Sequence, residues 1–199
     1  MRILVVGASG TIGRAVAAAL RARHEVVEAT RHSQPAVDIT SPESIRALYG
    51  AVGKLDAVVS ATGAAKFAPF AALSDEDFAF SLGNKLMGQV NLVRLGMEHV
   101  RDGGAFVLTS GILAHSPMPG SAAISLVNAG LEGFARAAAL EAPRGIRVNV
   151  VSPPWVTDTL VAFGMDPSIG LTLAAVAAAY VEAVEGRANG TVIEPTAAR

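Results

Sequence analysis

Residues 3–13 read ILVVGASGTIG, an apolar run that passes directly into a glycine at every third position. The run at 3–6 predicts a buried strand. Gly7 suits a tight turn, Gly10 lets the backbone approach a diphosphate, and Gly13 lets a helix pack closely on the sheet. The free amides and the positive end of that helix would bind the anion. The stretch therefore predicts the phosphate-binding turn of a dinucleotide-binding domain.

The residues of this turn are the first candidate ligands of the nucleotide. The hydroxyl groups of Ser9 and Thr11 are expected to contact the same phosphates. The predicted set is Gly7, Ser9, Gly10, Thr11, Ile12 and Gly13. A tight turn that binds nothing is the alternative, but the position between an apolar strand and a helix favours binding.

Short apolar runs alternate with helical stretches along the rest of the chain. Strands are predicted at residues 3–6, 26–29, 57–60, 105–109, 146–151 and 191–193. Helices are predicted at residues 12–23, 42–50, 74 to about 99, 121–141 and 171–185. The strands are apolar throughout, which predicts that helices cover both faces of the sheet. The order predicts an α/β class, single-domain Rossmann fold over residues 1–199, with a doubly wound parallel sheet flanked by helices.

Composition excludes several classes of protein and site. The net charge of −1, without a basic run, gives no reason to expect a nucleic-acid or membrane partner. With no cysteine, a disulfide framework, a thiolate metal site and a thiol nucleophile are impossible, and the scattered histidines predict no metal site. The apolar run at 171–181 is shorter than the ~18 residues of a membrane span, and the run at 3–6 is too short for a secretory signal. A cytoplasmic protein is expected.

The residues after the second predicted strand bear on the type of nucleotide. An NAD site needs an acid about 20 residues beyond the glycine turn, whereas this chain has Arg31, with Ser33 nearby. A guanidinium and a hydroxyl suit the 2′-phosphate of NADP(H), which is favoured over NAD(H), although Glu28 remains a rival acid. Asp38 and Ile39 are candidates for contacting the adenine. Asp38 is an equally good candidate for capping a turn.

The chain resembles the short-chain dehydrogenase/reductase family over residues 2 to about 194. The resemblance rests on SATG at 60–63, FVLTS at 106–110, LEGFAR at 131–136 and GIRVNVVSP at 145–153. It implies that Ala61, Thr62 and Gly63 lie beside the adenosine ribose, that Ser110 is the catalytic serine, and that Pro153 and Val156 receive the nicotinamide carboxamide. It also implies a homodimer or homotetramer built on the helices at 74–99 and 121–141.

The expected Tyr-x-x-x-Lys pair of that family is missing. Alignment through LEG at 131–133 puts Ile124 in place of the tyrosine and Asn128 in place of the lysine. The asparagine of the preceding helix falls on Lys85, which is therefore a candidate both for proton donation and for cofactor binding. A desolvated ammonium can have a lowered pKa, whereas the alternative, slightly favoured by the sequence, is that Lys85 is an exposed helix lysine. His115, in the loop after Ser110, is another candidate donor.

Three functions remain open from the sequence. The first is an NADP(H)-dependent oxidoreductase that acts on a carbonyl or alcohol, with Ser110 binding the oxygen and Lys85 or a water donating the proton. The second is a catalytically weak or inactive NADP(H)-binding sensor or partner subunit, and the third is a purely structural module. The small-molecule substrate is unknown. Its pocket is expected to be lined from the apolar set Leu113, Met118, Trp155, Leu160 and Phe163.

Overall fold

A single parallel sheet forms the centre of the computed structural model, which describes residues 1–162 and 164–196. Its strands are β1 (Arg2–Val6), β2 (Glu25–Ala29), β3 (Leu55–Ser60), β4 (Val100–Thr109), β5 (Arg147–Val151) and β6 (Val192–Ile193). They lie in the order β2-β1-β3-β4-β5-β6, and all five neighbouring pairs are parallel. The chain leaves β1 toward one edge and β3 toward the other. The carboxyl ends of β1 and β3 therefore flank the crevice where such sheets bind ligands.

Helices cover both faces of this sheet. They are α1 (Thr11–Arg21), α2 (Pro42–Val52), α3 (Asp75–Ser81), α4 (Met87–Gly96), α5 (Ala122–Glu141), α6 (Thr157–Ala162) and α7 (Leu173–Glu185). Leu4 and Val6 pack into a core with α2, α4 and α5, whereas Ile3 and Val5 pack into a second core with α1 and α7. Successive side chains of β1 thus point to opposite faces of the sheet and pack into two different cores. The predicted doubly wound Rossmann fold is confirmed.

Local side-chain caps set where two of the helices begin. The Ser41 hydroxyl accepts a hydrogen bond from the Ser44 amide at 3.1 Å, and Pro42 occupies the first helical position. Ser74 and Asp77 form a reciprocal capping box at the start of α3. These bonds satisfy amides that would otherwise lack partners in the first turn.

The structure differs from the sequence-based prediction in three elements. β4 begins at Val100 rather than at 105, because a register shift near Leu55 lets it pair with β3 across an irregularity. The single helix predicted from 74 to 99 is interrupted by a π-helical segment, Leu82–Leu86, and ends in a 3₁₀ turn. The loop expected at 157–170 contains the short helix α6.

Helix length and polarity bear on membrane insertion. Among residues 1–162 and 164–196, no helix combines the length and apolar character that crossing a bilayer requires.

Candidate functional site

The glycine turn joins β1 to α1 at the crevice of the sheet. Gly7 has φ +87°, and a Cβ on it would lie 2.5 Å from the carbonyl oxygen of Ala61. A Cβ on Gly13 would overlap the carbonyl oxygen of Gly7. A Cβ on Gly10 would instead meet only that oxygen, at 3.4 Å, which is ordinary contact. Gly7 and Gly13 therefore serve packing, whereas Gly10 borders open space.

Two clefts lie at the carboxyl ends of the strands. Ala61, Thr62 and Gly63 lie between the two clefts and line both of them. The β2-side cleft has a volume of about 380 Å³. It is lined by predicted residues from the turn and from the segment after β2, namely Gly7, Ser9, Gly10, Arg31, Asp38 and Ile39. The β4-side cleft, of about 320 Å³, is lined by the predicted residues Ile12, Lys85, Ser110, Pro153 and Val156. Most of the predicted site is thus brought into one continuous crevice.

Three residues predicted to bind the nucleotide, Thr11, Gly13 and Ser33, do not line either cleft. The Ser33 hydroxyl is used within its own turn, where it accepts from the Thr30 amide at 2.7 Å and donates to the Pro35 carbonyl at 2.6 Å. The prediction that Ser33 faces a phosphate is therefore corrected, because a hydroxyl has only one proton and this one closes a turn. Thr11 lines a separate surface hollow beside Arg14.

The two acids near β2 have local partners. Glu28 forms an ion pair with Arg21 of α1 and does not line the β2-side cleft, so the structure does not support it as the rival acid. Asp38 caps a turn, since its Oδ1 accepts from the amide and the hydroxyl of Thr40 at 2.9 and 2.7 Å. These two bonds lower the pKa of Asp38 and keep its carboxylate charged at the edge of the cleft.

Lys85 lies in the π-helical segment, a distortion that often occurs at functional sites. Its side chain is buried, and its Nζ donates to the backbone oxygen of Ser110 at 3.0 Å. Gly63, with φ +116°, packs against it so closely that a Cβ would lie 2.9 Å from the Lys85 Cα. Burial lowers the pKa of Lys85 to about 8. The interpretation of Lys85 as an exposed helix lysine is therefore wrong.

Ser110 follows the last residue of β4, and Gln89 of α4 fixes that residue. The Gln89 side chain accepts from the Thr109 amide and donates to the Thr109 carbonyl, both at 2.9 Å, as a neighbouring strand would. The Ser110 hydroxyl itself donates to Glu132 Oε1 at 2.9 Å. Two buried side chains thus fix the position and orientation of this hydroxyl, Gln89 from α4 and Glu132 from α5, and both helices pack on the same face of the sheet.

Glu132 is the polar residue that sequence reasoning missed. It is 1% exposed, and its Oε2 lies 2.6 Å from His115 Nε2 and 3.6 Å from an Arg136 guanidinium nitrogen. Position 132 follows Ile124 and Asn128 at intervals of four, so all three share one face of α5. This spacing was the sequence signal that could have identified Glu132. A helix face that carries two site residues four positions apart places the residue four positions further on beside the same site.

Ile124 and Asn128 line the β4-side cleft together with Ser110. No phenol is brought there within the described chain, because Tyr49 and Tyr180 are buried in the two cores. Leu113 and Trp155 also line this cleft, as expected. Met118 and Leu160 do not line it, and Phe163 lies outside the described residues.

The residues present fit a nicotinamide dinucleotide. Asn128 Oδ1 and Ser152 Oγ are buried without a hydrogen-bond partner in the described part of the chain, and Asn128 lines the β4-side cleft. An amide oxygen of this kind could accept a bond from a ribose hydroxyl. At the other end, the amides of the glycine turn and Arg31 would hold the phosphates.

Residues 1–162 and 164–196 contain no group of three or more His, Asp or Glu side chains that could hold a metal ion.

Comparisons with known proteins agree with this geometry. The pattern of the family described as enoyl-(acyl carrier protein) reductase matches residues 7–181. Hydroxynaphthalene reductase arp2 of Aspergillus fumigatus is 34% identical over 124 residues, which cover 60% of this chain and 45% of that protein. The match thus spans less than half the length of that relative.

Solved structures cover more of the chain. The protein lin1944 from Listeria innocua is 41% identical, with a TM-score of 0.95 over 98% of this chain and all of that one. A small-chain dehydrogenase in complex with NADPH is 23% identical, with a TM-score of 0.85 over 98% of this chain and 95% of that one. At that identity, the second likeness shows the shared fold alone.

Proposed function

Because the chain belongs to the short-chain dehydrogenase/reductase family, we propose that it is an NADP(H)-dependent oxidoreductase that acts on a carbonyl or alcohol substrate. The observation that carries the proposal is the meeting of Lys85 and Ser110 in the cleft next to the glycine turn. Both clefts share residues 61–63, so a dinucleotide could extend from one to the other.

Each part of the crevice has a separate task in this proposal. A reduced nicotinamide, when bound, would supply hydride and its electron pair to a carbonyl carbon. The Ser110 hydroxyl binds the oxygen, and the buried ammonium of Lys85 stabilises the negative charge that develops there. Asn128 holds a ribose hydroxyl through its unpaired Oδ1. The apolar surfaces of Leu113 and Trp155 exclude water from the substrate side.

A panel of aldehydes and ketones incubated with NADPH tests the proposal. We expect turnover by the unaltered chain, and a fall in kcat/KM of about 10²-fold in Ser110→Ala, because one preorganised hydrogen-bond donor is lost. Ser125→Ala, on the same helix as Asn128 but away from the clefts, is the control and should retain activity. Absence of turnover across the whole panel would reject the proposed oxidoreductase function.

The second candidate is a nucleotide-binding sensor or partner subunit that lacks the reaction. It is favoured by one observation, namely that Ile124 and Asn128 line the cleft at the positions where the family's tyrosine and lysine are expected. NADPH should then raise the melting temperature by binding the folded state, without any substrate being turned over.

We propose NADP(H) rather than NAD(H) as the cofactor, because Arg31 lines the β2-side cleft while Glu28 does not. Arg31→Glu should weaken NADPH binding about tenfold more than NADH binding, since a charge-assisted bond to the 2′-phosphate is replaced by repulsion. Titration calorimetry with both cofactors measures the difference. Arg46→Glu, on the exposed surface of α2, is the control. Equal losses for both cofactors would contradict the 2′-phosphate contact.

We also propose a homodimer or homotetramer formed by α3, α4 and α5. Phe80, Met87 and Leu126 lie on these helices, and each is more than two-fifths exposed. α5 contacts both α3 and α4, and a contiguous apolar patch formed by such side chains would be a surface for a second copy of the chain.

A further inference from the structure

The missing tyrosine leaves the proton of the proposed reaction without an assigned source. Lys85 donates one of its three Nζ protons to the Ser110 carbonyl oxygen, and in the proposed reaction its cation stabilises negative charge. Ser110 lines the β4-side cleft, and its hydroxyl donates to the buried carboxyl group of Glu132. A route for the proton can therefore begin at Ser110.

A continuous chain of hydrogen-bonding groups leads from Ser110 to the surface. Ser110 Oγ donates to Glu132 Oε1 at 2.9 Å, and Glu132 Oε2 contacts His115 Nε2 at 2.6 Å. Glu132 is 1% exposed, whereas the His115 side chain is 48% exposed. The chain thus begins on a residue that lines the β4-side cleft and ends in solvent.

Burial of Glu132 demands an explanation of its own. A carboxylate removed from water is costly unless it is paired, and a residue used only for packing would be apolar. His115 and the Arg136 guanidinium lie on the solvent side of the Glu132 carboxyl group, and the Ser110 hydroxyl donates to it from the cleft side. Each oxygen of the carboxyl group therefore has a partner, one toward the cleft and one toward solvent.

We propose that Glu132 exchanges the proton of the reaction with the substrate oxygen through the Ser110 hydroxyl, and that His115 connects Glu132 to solvent. The inference rests on the proposed oxidoreductase function. Glu132 and His115 act through another residue, so they are positioning and relay residues, whereas Ser110 contacts the substrate oxygen.

The proton steps balance without any change of oxidation state. In the reducing direction, the Ser110 O–H bond breaks as an O–H bond forms on the substrate oxygen. Glu132 accepts at both oxygens and so starts as a carboxylate, and its Oε2 then takes the Nε2 proton of His115 as solvent protonates Nδ1. Rotation of the carboxyl group brings that proton to Ser110 Oγ, which restores the serine hydroxyl and leaves Glu132 a carboxylate again. Exchange with solvent returns His115 to the Nε2–H tautomer. Alcohol oxidation follows the same route in reverse.

The test uses Glu132→Gln, which keeps an acceptor for Ser110 but cannot exchange a proton. We expect kcat to fall about 10²-fold, with KM and the affinity for NADPH unchanged, because positioned acid–base groups contribute at that scale. The bend that a titrating carboxyl group imposes on the pH profile of kcat should also disappear. A purely structural residue would instead change stability or NADPH affinity.

His115→Gln provides a second variant at the exposed end, where folding is not at risk. Its kcat should fall about tenfold, since water replaces an exposed donor in part, and added imidazole should restore activity to His115→Gly. His24→Gln is the matched control, because His24 forms a similar pair with Glu185 at 2.8 Å outside the clefts. It should keep full activity.

A readout without substrate or cofactor completes the test. Ring nitrogen NMR of neutral His115 should show the Nε2–H tautomer, which the contact with Glu132 selects. The Nδ1–H tautomer would overturn the relay. So would equal kcat in Glu132→Gln and the unaltered chain, and the proposed function would then stand without it. Absence of any turnover by the unaltered chain would overturn both.

Discussion

Gly10→Val is expected to lose at least about 100-fold in affinity for NADPH while the chain stays folded. Gly10 has φ −73° and ψ 167°, which valine adopts readily, and a Cβ there meets only ordinary contact with Gly7. The valine methyl groups would, however, occupy the space above the turn that a diphosphate needs. Loss of two charge-assisted hydrogen bonds corresponds to a factor of this size. Titration calorimetry and thermal unfolding measure the two quantities separately.

Two other glycines serve as controls for this experiment. Gly50→Val adds the same side chain in open space on α2, so NADPH affinity should be unchanged. Gly13→Val should unfold or distort the domain, because its Cβ would overlap the Gly7 carbonyl oxygen. Undiminished affinity in Gly10→Val would refute the assignment of the turn to phosphate binding.

Lys85→Met is expected to stabilise the folded chain by about 2 kcal/mol at pH 7 while it removes the cation of the site. Burial lowers the pKa of Lys85 from 10.5 to about 8, and this shift corresponds to a penalty of about 3 kcal/mol on the charged form. The hydrogen bond from Lys85 to Ser110 stabilises the unaltered chain by about 1 kcal/mol, so the difference in stability is about 2 kcal/mol. Methionine keeps the aliphatic stem that packs against Gly63.

The pH dependence gives this prediction a sign that can be checked. Below pH 8 both the folded and the unfolded chain hold the Lys85 proton, so the penalty is fully present. Between about 8 and 10.5 the unfolded chain binds more protons, and the unaltered protein gains stability relative to Lys85→Met as pH rises. Urea unfolding of both proteins at several pH values measures the difference, in which contributions shared by both proteins cancel.

Lys54→Met is the matched control. Its Nζ also donates to a backbone carbonyl, that of Glu98, but from an exposed position. The substitution removes a similar bond without relieving any burial, so it should not stabilise the chain. A Lys85→Met protein no more stable than the unaltered chain would mean that water reaches the buried ammonium.

The fold was predictable from the sequence because its signals are local. The apolar run at 3–6, the glycine spacing after it and the serine caps at Ser41 and Ser74 each act within a few residues. Every predicted strand and all five predicted helices occur, with shifted bounds. The register shift that lengthens β4 was not predictable, since it depends on pairing between residues 45 positions apart.

The site was predictable only in part, because its chemistry depends on which side chains share a buried space. Arg31, Lys85 and Ser110 reach the clefts as expected. Ser33 does not, because a proton donor within reach of a carbonyl in its own turn forms that short-range bond first. Glu132 was missed because a glutamate on a helix is usually exposed, and only its spacing of four from Asn128 indicated that it shares the site face of α5.

Position 89 requires a glutamine. The end of β4 needs one donor and one acceptor from a single side chain, which excludes glutamate, lysine and every hydrocarbon, and asparagine falls one methylene short of the same reach. Any exchange at position 89 would therefore release the end of β4 that positions Ser110, so a redesign that enlarges the cleft has to keep this glutamine and start from Ile124.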